Sequence, residues 1–185
     1  MPEISEASPV LLVSGTNRPG SYCLRVARRI EGFYREAGVP VSLFSLLDLP
    51  PSIFDPASYA AKPPEVLAVQ RRVLDAAALH LVVPEYNGGF PGVLKVFIDH
   101  LKFPDSFEHK PVALTGESNG AWGALRPVEQ LQQIFSYRNA HLFPTRVFIP
   151  RVQTAVADDG TIASEELDAR LRHQAVNFAA FVRKL

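Results

Sequence analysis

Val10-Leu11-Leu12-Val13-Ser14-Gly15-Thr16-Asn17-Arg18-Pro19-Gly20-Ser21-Tyr22-Cys23 changes character twice within fourteen residues. It opens on an apolar run of strand length and passes through a loop of turn formers and hydrogen-bonding side chains. It then enters a segment in which Cys23, Val26, Ala27, Ile30, Phe33, Tyr34 and Ala37 keep the i, i+3, i+4 spacing of an amphipathic helix. Strand 10–14 and helix 21–37, ended by Gly38, are therefore the first half of a βαβ unit.

Outward from this stretch the same alternation repeats. The pattern predicts strands over 39–46, 78–83, 111–115 and 144–149, and helices over 64–77, 91–101, 125–138 and 164–185. Between residues 46 and 64, Pro50, Pro51, Pro56 and Pro63 require a surface loop, and one too long to be featureless. The continuous apolar character of 78–83 suits a central strand covered on both faces. Strands alternating with helices in this way are compatible with an α/β, flavodoxin-like three-layer sandwich, its five-stranded parallel sheet ordered 2-1-3-4-5 with helices on both faces. Ligands of such sheets bind beyond the carboxyl ends of the strands, where strands one and three diverge, so the loops at 15–21 and 84–92 should lie together.

The 185 residues suit one domain, expected over 9–185 behind a short tail at 1–8. Lys plus Arg and Asp plus Glu both number 19, so no net charge recruits nucleic acid or an anionic membrane. The longest apolar runs fall well short of the ~20 residues that span a bilayer. A lone Cys23 excludes an internal disulfide and a cysteine zinc cluster, and fits a reducing, cytoplasmic compartment.

In the first loop, backbone N–H groups at a helix start, the hydroxyls of Thr16 and Ser21 and the Arg18 guanidinium supply what a phosphate needs. Neither G-x-G-x-x-G nor G-x-x-x-x-G-K-[ST] is present, which favours a monophosphate ligand over a dinucleotide or a nucleoside triphosphate. Capping by Ser21 and turning at Gly15, Pro19 and Gly20 would explain the same residues without a ligand. The second loop, Pro84-Glu85-Tyr86-Asn87-Gly88-Gly89-Phe90-Pro91-Gly92, joins a rigid backbone to two side-chain-free positions. A flat heteroaromatic ring could lie there against backbone donors and acceptors, walled by Tyr86 and Phe90. Cys23 falls on the apolar helix face, the place of a core filler rather than a reactive thiol.

Together the two loops, the second continued by Val93-Leu94-Lys95, resemble those of the NADPH-dependent FMN reductase family, and the element spacing extends the resemblance over nearly the whole chain. The resemblance implies FMN as cofactor, with NADPH or NADH as cosubstrate. It implies Thr16, Arg18 and Ser21 as phosphate ligands, Pro84, Glu85, Tyr86, Asn87 and Gly88 along the isoalloxazine, and Ser118 of the loop after the fourth strand as a further cofactor contact. No protein group would be catalytic in its own right, the chemistry belonging to the flavin. The implied acceptor is a quinone, an azo compound, a metal ion or free flavin, and the implied assembly a homodimer or homotetramer. Helix 91–101 is apolar on more than one side, which agrees with a partner subunit. Three positions depart from the family pattern: Cys23 and Val96 stand where asparagine is usual, and Trp122 is bulky where the loop is usually small.

Two other readings stand beside this one. A flavin-binding electron carrier would bind FMN without turning over nicotinamide. Gly116-Glu117-Ser118-Asn119-Gly120, between a strand and a helix, matches the G-x-S-x-G context of a hydrolase nucleophile, with Asp158, Asp159 or Asp168 and then His173 following in order. Against it, no histidine-bearing glycine-rich oxyanion loop is evident, and such histidines more often lie on a solvated face. His80, His100, His109 and His141 lack metal-ligand spacing.

Overall fold

The computed structural model describes residues 3–185. In chain order the elements are β1 (Val10–Ser14), α1 (Tyr22–Glu36), β2 (Val41–Ser45), α2 (Ala57–Ala60), α3 (Pro64–Asp75), β3 (Ala78–Pro84) and α4 (Gly92–His100). They continue with β4 (Pro111–Glu117), α5 (Leu125–Tyr137), β5 (His141–Leu142), β6 (Val147–Ile149), α6 (Val152–Ala155) and α7 (Glu165–Val182). Every ladder is parallel, in the order β2-β1-β3-β4-β5, and β6 also pairs with β4. This is the flavodoxin-like order expected from the alternation. Of the tail expected over 1–8, the first two residues lie outside the described ones. In the remainder Ile4 packs against the core and the Ser8 hydroxyl donates to the Asp75 carbonyl at 2.6 Å.

Strand alternation divides the core into two layers. Val10 and Leu12 of β1 and Ala113 of β4 face α1 and α7, whose Val26, Ile30, Phe33, Leu171 and Phe178 close that side. Leu11, Val13, Leu79, Leu81, Val83 and Leu114 face the other layer, built from α3, α4 and α5. The proline-rich segment is not featureless: turns of 3-10 helix at Leu46–Asp48 and Pro51–Phe54 lead into α2, and Ile53 plugs the core at 1% exposure. Lys110 buries its ammonium against the end of α3, donating to the carbonyls of Val73, Leu74 and Ala76.

The fifth strand departs from the expected single run over 144–149. It is two short pieces, His141–Leu142 on the beginning of β4 and Val147–Ile149 on its end. Pro144 has no N–H for the ladder, and the Thr145 carbonyl is taken by the side-chain amide of Gln174 at 3.0 Å. The same amide belongs to a buried polar chain through the α1/α7 layer. The Tyr34 hydroxyl donates to His80 Nδ1 (2.8 Å), His80 Nε2–H donates to Thr115 Oγ1 (2.9 Å), and the Thr115 hydroxyl donates to Gln174 Oε1 (2.6 Å). Gln174 Nε2 then donates to the Leu114 and Thr145 carbonyls. This direction assigns the Nε2–H tautomer to His80 from the network around it. His173 does lie on a solvated face, whereas His80 and His100 are buried.

Candidate functional site

Parallel strands end together, and at their carboxyl ends the loops after β1, β3 and β4 converge. The first loop leaves β1 under close constraint. The Gly15 N–H donates to the Val82 carbonyl at 2.9 Å, and a Cβ at Gly15 would stand 2.7 Å from that oxygen. Only glycine lets β1 approach β3 so closely there. Thr16 is 1% exposed, and its hydroxyl accepts from the Arg18 N–H at 3.2 Å. The chain then runs exposed through Asn17, Arg18, Pro19 and Gly20 to Ser21, which caps α1 by accepting from the Leu24 N–H at 3.3 Å. Capping by Ser21 is thus a structural fact, and it leaves the other first-turn N–H groups and the positive end of the helix dipole facing the loop. No acidic residue stands in that first turn, and Arg18 has no ion-pair partner among the described residues.

The second loop is a hairpin in miniature. Tyr86 and Gly89 exchange both backbone hydrogen bonds (2.9 and 3.1 Å) around Asn87 and Gly88, whose φ values of +53° and +80° give a primed turn. The turn presents Tyr86 across the gap to the first loop, where its hydroxyl and that of Thr16 are hydrogen-bonded at 2.9 Å. Pro84 is buried in the sheet, Glu85 is half-buried with Arg126 3.8 Å from its carboxylate, and Asn87 is exposed at the rim. Gln130 of α5 braces the turn from behind, its side-chain oxygen 3.3 Å from where a Cβ would stand on Gly89. The third loop begins at Ser118, whose N–H donates to the Ile149 carbonyl at the end of the last strand and whose carbonyl accepts from the Val152 N–H at the start of α6. Two aromatic side chains on these loops are exposed, Trp122 at 66% and Tyr86 at 37%.

Of the nine residues singled out in the sequence, eight lie on these three converging loops and Pro84 ends the strand from which the second loop springs. The hydrolase constellation does not assemble. The Ser118 hydroxyl reaches only the Gly120 carbonyl at 3.4 Å. Asp168 holds Arg29 in a bidentate pair, Asp158 holds Arg25, Asp159 accepts from the Thr161 N–H, and His173 pairs with Asn177. Cys23 is fully buried at the second position of α1, donating its S–H to the Val82 carbonyl (3.1 Å) and accepting from Ser14 (3.3 Å). Burial pushes its thiol pKa well up, and nearby Glu117 adds to the rise. Cys23 is therefore a core filler without thiolate character.

The residue that sequence reasoning missed is Glu117, the last of β4, only 5% exposed. Its backbone carbonyl accepts from the Glu85 N–H, but its carboxylate has no hydrogen-bond or ion-pair partner among the described residues. Burial pushes its pKa up to about 7, opposed by the positive charge of Arg18. The available signal was a carboxylate ending a strand otherwise made of Pro111, Val112, Ala113, Leu114, Thr115 and Gly116. No group of three or more His, Cys, Asp or Glu able to hold a metal occurs among the described residues.

Comparison with known proteins agrees with this geometry. The chain is 29% identical over 186 aligned residues to an NAD(P)H-dependent FMN reductase of Pseudomonas aeruginosa, covering 98% of this chain and 99% of the relative. It is 28% identical to an FMN-dependent NADPH-azoreductase of Staphylococcus saprophyticus, covering 94% of each. Among solved structures, a flavoenzyme NAD(P)H:(acceptor) oxidoreductase of Paracoccus denitrificans superposes with a TM-score of 0.76 at 23% identity, covering 95% of this chain and 97% of that one, a likeness of fold. The profile that describes NADPH-dependent FMN reductases matches residues 8–154, a span that contains β1 to β6 and all three converging loops. The chain belongs to the NADPH-dependent FMN reductase family, whose members are oxidoreductases that work with FMN and NAD(P)H.

Proposed function

We propose that this chain is an FMN-dependent NAD(P)H oxidoreductase whose first loop holds the cofactor phosphate and whose second loop lines the flavin ring. The observation that carries this reading is the Thr16–Tyr86 hydrogen bond, which ties the two loops together at the carboxyl ends of the paired strands β1 and β3, the point where the strand order switches direction. Arg18 and Thr16 supply a charge and a hydroxyl, and Ser21 sits at the free N–H groups of α1. Pro84, Glu85, Tyr86, Asn87 and Gly88 present backbone to the ring, Gly88 without a side chain to keep it at a distance. Ser118 approaches from the third loop. Bound FMN would supply the redox chemistry between NAD(P)H and a second substrate, for which ping-pong kinetics are expected. The protein binds, orients and screens it. Trp122 and Tyr86 form the open wall over which nicotinamide and acceptor must pass, and this aromatic rim suits flat acceptors such as quinones and azo compounds.

The assembly is read as a homodimer or homotetramer. Val93 and Val96 of α4 are only half-covered within the chain, and on another side of the same helix a groove of about 510 Å³ between α4 and α5 is lined by Phe90, Ile98 and Ile134. The lone free cysteine fits a reducing, cytoplasmic compartment.

The test is the visible spectrum of the protein after FMN addition and desalting, followed by anaerobic NADPH and then a quinone or azo dye. Retained flavin that bleaches and recovers on acceptor addition is the expected result. Retained flavin that NADPH leaves oxidised makes the chain a carrier, and no retained flavin removes the phosphate assignment.

A further inference from the structure

Glu117 lies on the phosphate side of the sheet. Side chains alternate along β4, so Ala113, Thr115 and Glu117 share the face covered by α1 and α7, as the contact of Thr115 with Gln174 shows. Val82 of the neighbouring strand stands opposite Thr115 and Pro84 opposite Glu117, and the Val82 carbonyl receives the Cys23 thiol from the first turn of α1. Glu117 is therefore one strand away from the amino end of α1, and its charge is felt by Cys23 there and by Arg18 on the loop. The charged or titratable groups on the surrounding elements are Arg18 from the first loop, Cys23 from α1, Glu85 with Arg126 from the second loop and α5, and exposed Arg151 after β6. None pairs with the carboxylate.

A nine-tenths buried, unpartnered carboxylate beside a helix start that presents N–H groups and an arginine is a second anion facing the place a phosphate would take. Two anions facing each other there, one of them on a buried side chain that water reaches poorly, repel. One must give up its charge, and the carboxylic acid is the weaker anion to retain because it is already poorly solvated. Neutral Glu117 relieves the repulsion and leaves Arg18 wholly to the phosphate.

We propose that Glu117 couples phosphate occupancy of the first loop to uptake of one proton, the phosphate dianion being held with Glu117 in its neutral form. The proton comes from solvent and returns to it on release. Cofactor retention is then graded by pH around neutrality, through a residue that belongs to the sheet rather than to the binding loops. The coupling rests on the phosphate assignment proposed above.

The experiment titrates FMN, and riboflavin as the ligand without a phosphate, into the wild-type protein and Glu117→Gln, following quenching of flavin fluorescence at about pH 6 and about pH 8. Wild-type FMN affinity should weaken across this interval by about tenfold more than that of Glu117→Gln, one proton being worth tenfold per pH unit above the pKa. The comparison cancels the ionisation of the FMN phosphate itself, and the riboflavin ratio should match in the two proteins. Equal FMN ratios in wild type and variant overturn the coupling while leaving the phosphate site intact. FMN held no better than riboflavin at either pH overturns the phosphate assignment and the coupling with it. Should Glu117→Gln not fold, the wild type suffices: calorimetric FMN titration near pH 7.5 in buffers of different ionisation enthalpy should show uptake of more than about half a proton per flavin. Zero uptake or net release overturns the proposal.

Discussion

β3 and β4 carry polar side chains at two levels, and the two levels are treated in opposite ways. Halfway along, His80 and Thr115 sit in a chain from Tyr34 to Gln174 in which each hydroxyl, both ring nitrogens and the side-chain amide meet a hydrogen-bond partner. At the carboxyl end of β4, Glu117 is 5% exposed where His80 and Thr115 are fully buried, and its carboxylate has no partner among the described residues, nor has Arg18 on the first loop. An unpaired buried polar group costs about 1–3 kcal/mol, more when charged; the His100 ring nitrogens and the Ser106 hydroxyl are also buried without a partner, and Glu117 differs from them in lying at the strand ends where the loops converge. In this sheet the satisfied chain belongs to the architecture, and the unpaired carboxylate stands beside the loop proposed to hold the ligand.

The two levels should separate most widely in their response to pH. His80 is neutral in the fold, its pKa pushed down to about 3 by burial, so the stability it supports is present above pH 6.5 and is lost as pH falls from there towards 3. Glu117 acts in the reverse sense. Its pKa is raised from 4.5 to about 7, so its contribution is present below 4.5 and is lost as pH rises to 7. The limiting sizes are about 5 and about 3 kcal/mol. Urea unfolding across this range should show the Glu117 slope vanish in Glu117→Gln while the acid slope persists. A variant that flattens both would dissolve the distinction between the levels.

The next effect is confined to the mouth. Arg18→Ala should weaken FMN binding by about 1.5–3 kcal/mol, the value of a hydrogen bond to a charged group, and leave the thermal midpoint unchanged because Arg18 is exposed and unpaired. Equal FMN affinity in Arg18→Ala and wild type would remove the phosphate role from this residue. The smallest effect belongs to Tyr86→Phe, which deletes only the bond to Thr16. Its cost should be about 0.5–1.5 kcal/mol in FMN affinity. Because Tyr86 is partly exposed, a loss of overall stability larger than its loss of FMN affinity would assign it to architecture instead.

What could be read in the residues themselves follows the range of the forces involved. β1, its loop and α1 were legible because periodicity, a cap and turn residues all act within a few positions of one another. The convergence of the first and second loops was legible as topology, since a parallel sheet in this order leaves little choice. The Thr16–Tyr86 bond was not, because it joins side chains 70 residues apart. The break in the fifth strand was missed although Pro144 marked it, since the apolar run at Val147, Phe148 and Ile149 reads as strand and nothing local shows that Gln174 will claim the Thr145 carbonyl. Glu117 escaped notice because the expected strand stopped at 115, which left Glu117 in the loop that follows, whereas β4 runs on to Glu117. Its burial depends on how the surrounding elements close over it.

That interrupted fifth strand also bears on how the molecule behaves in a crowd of its own copies. The outer side of a sheet normally offers a row of free N–H and C=O groups on which another strand can grow. Here the offer lasts two residues at His141 and Leu142, stops across Pro144 and exposed Arg146, and resumes for three at Val147 to Ile149. A chain trying to extend the sheet would meet a missing donor and a positive charge before it had formed a stable ladder, which protects this edge against aggregation.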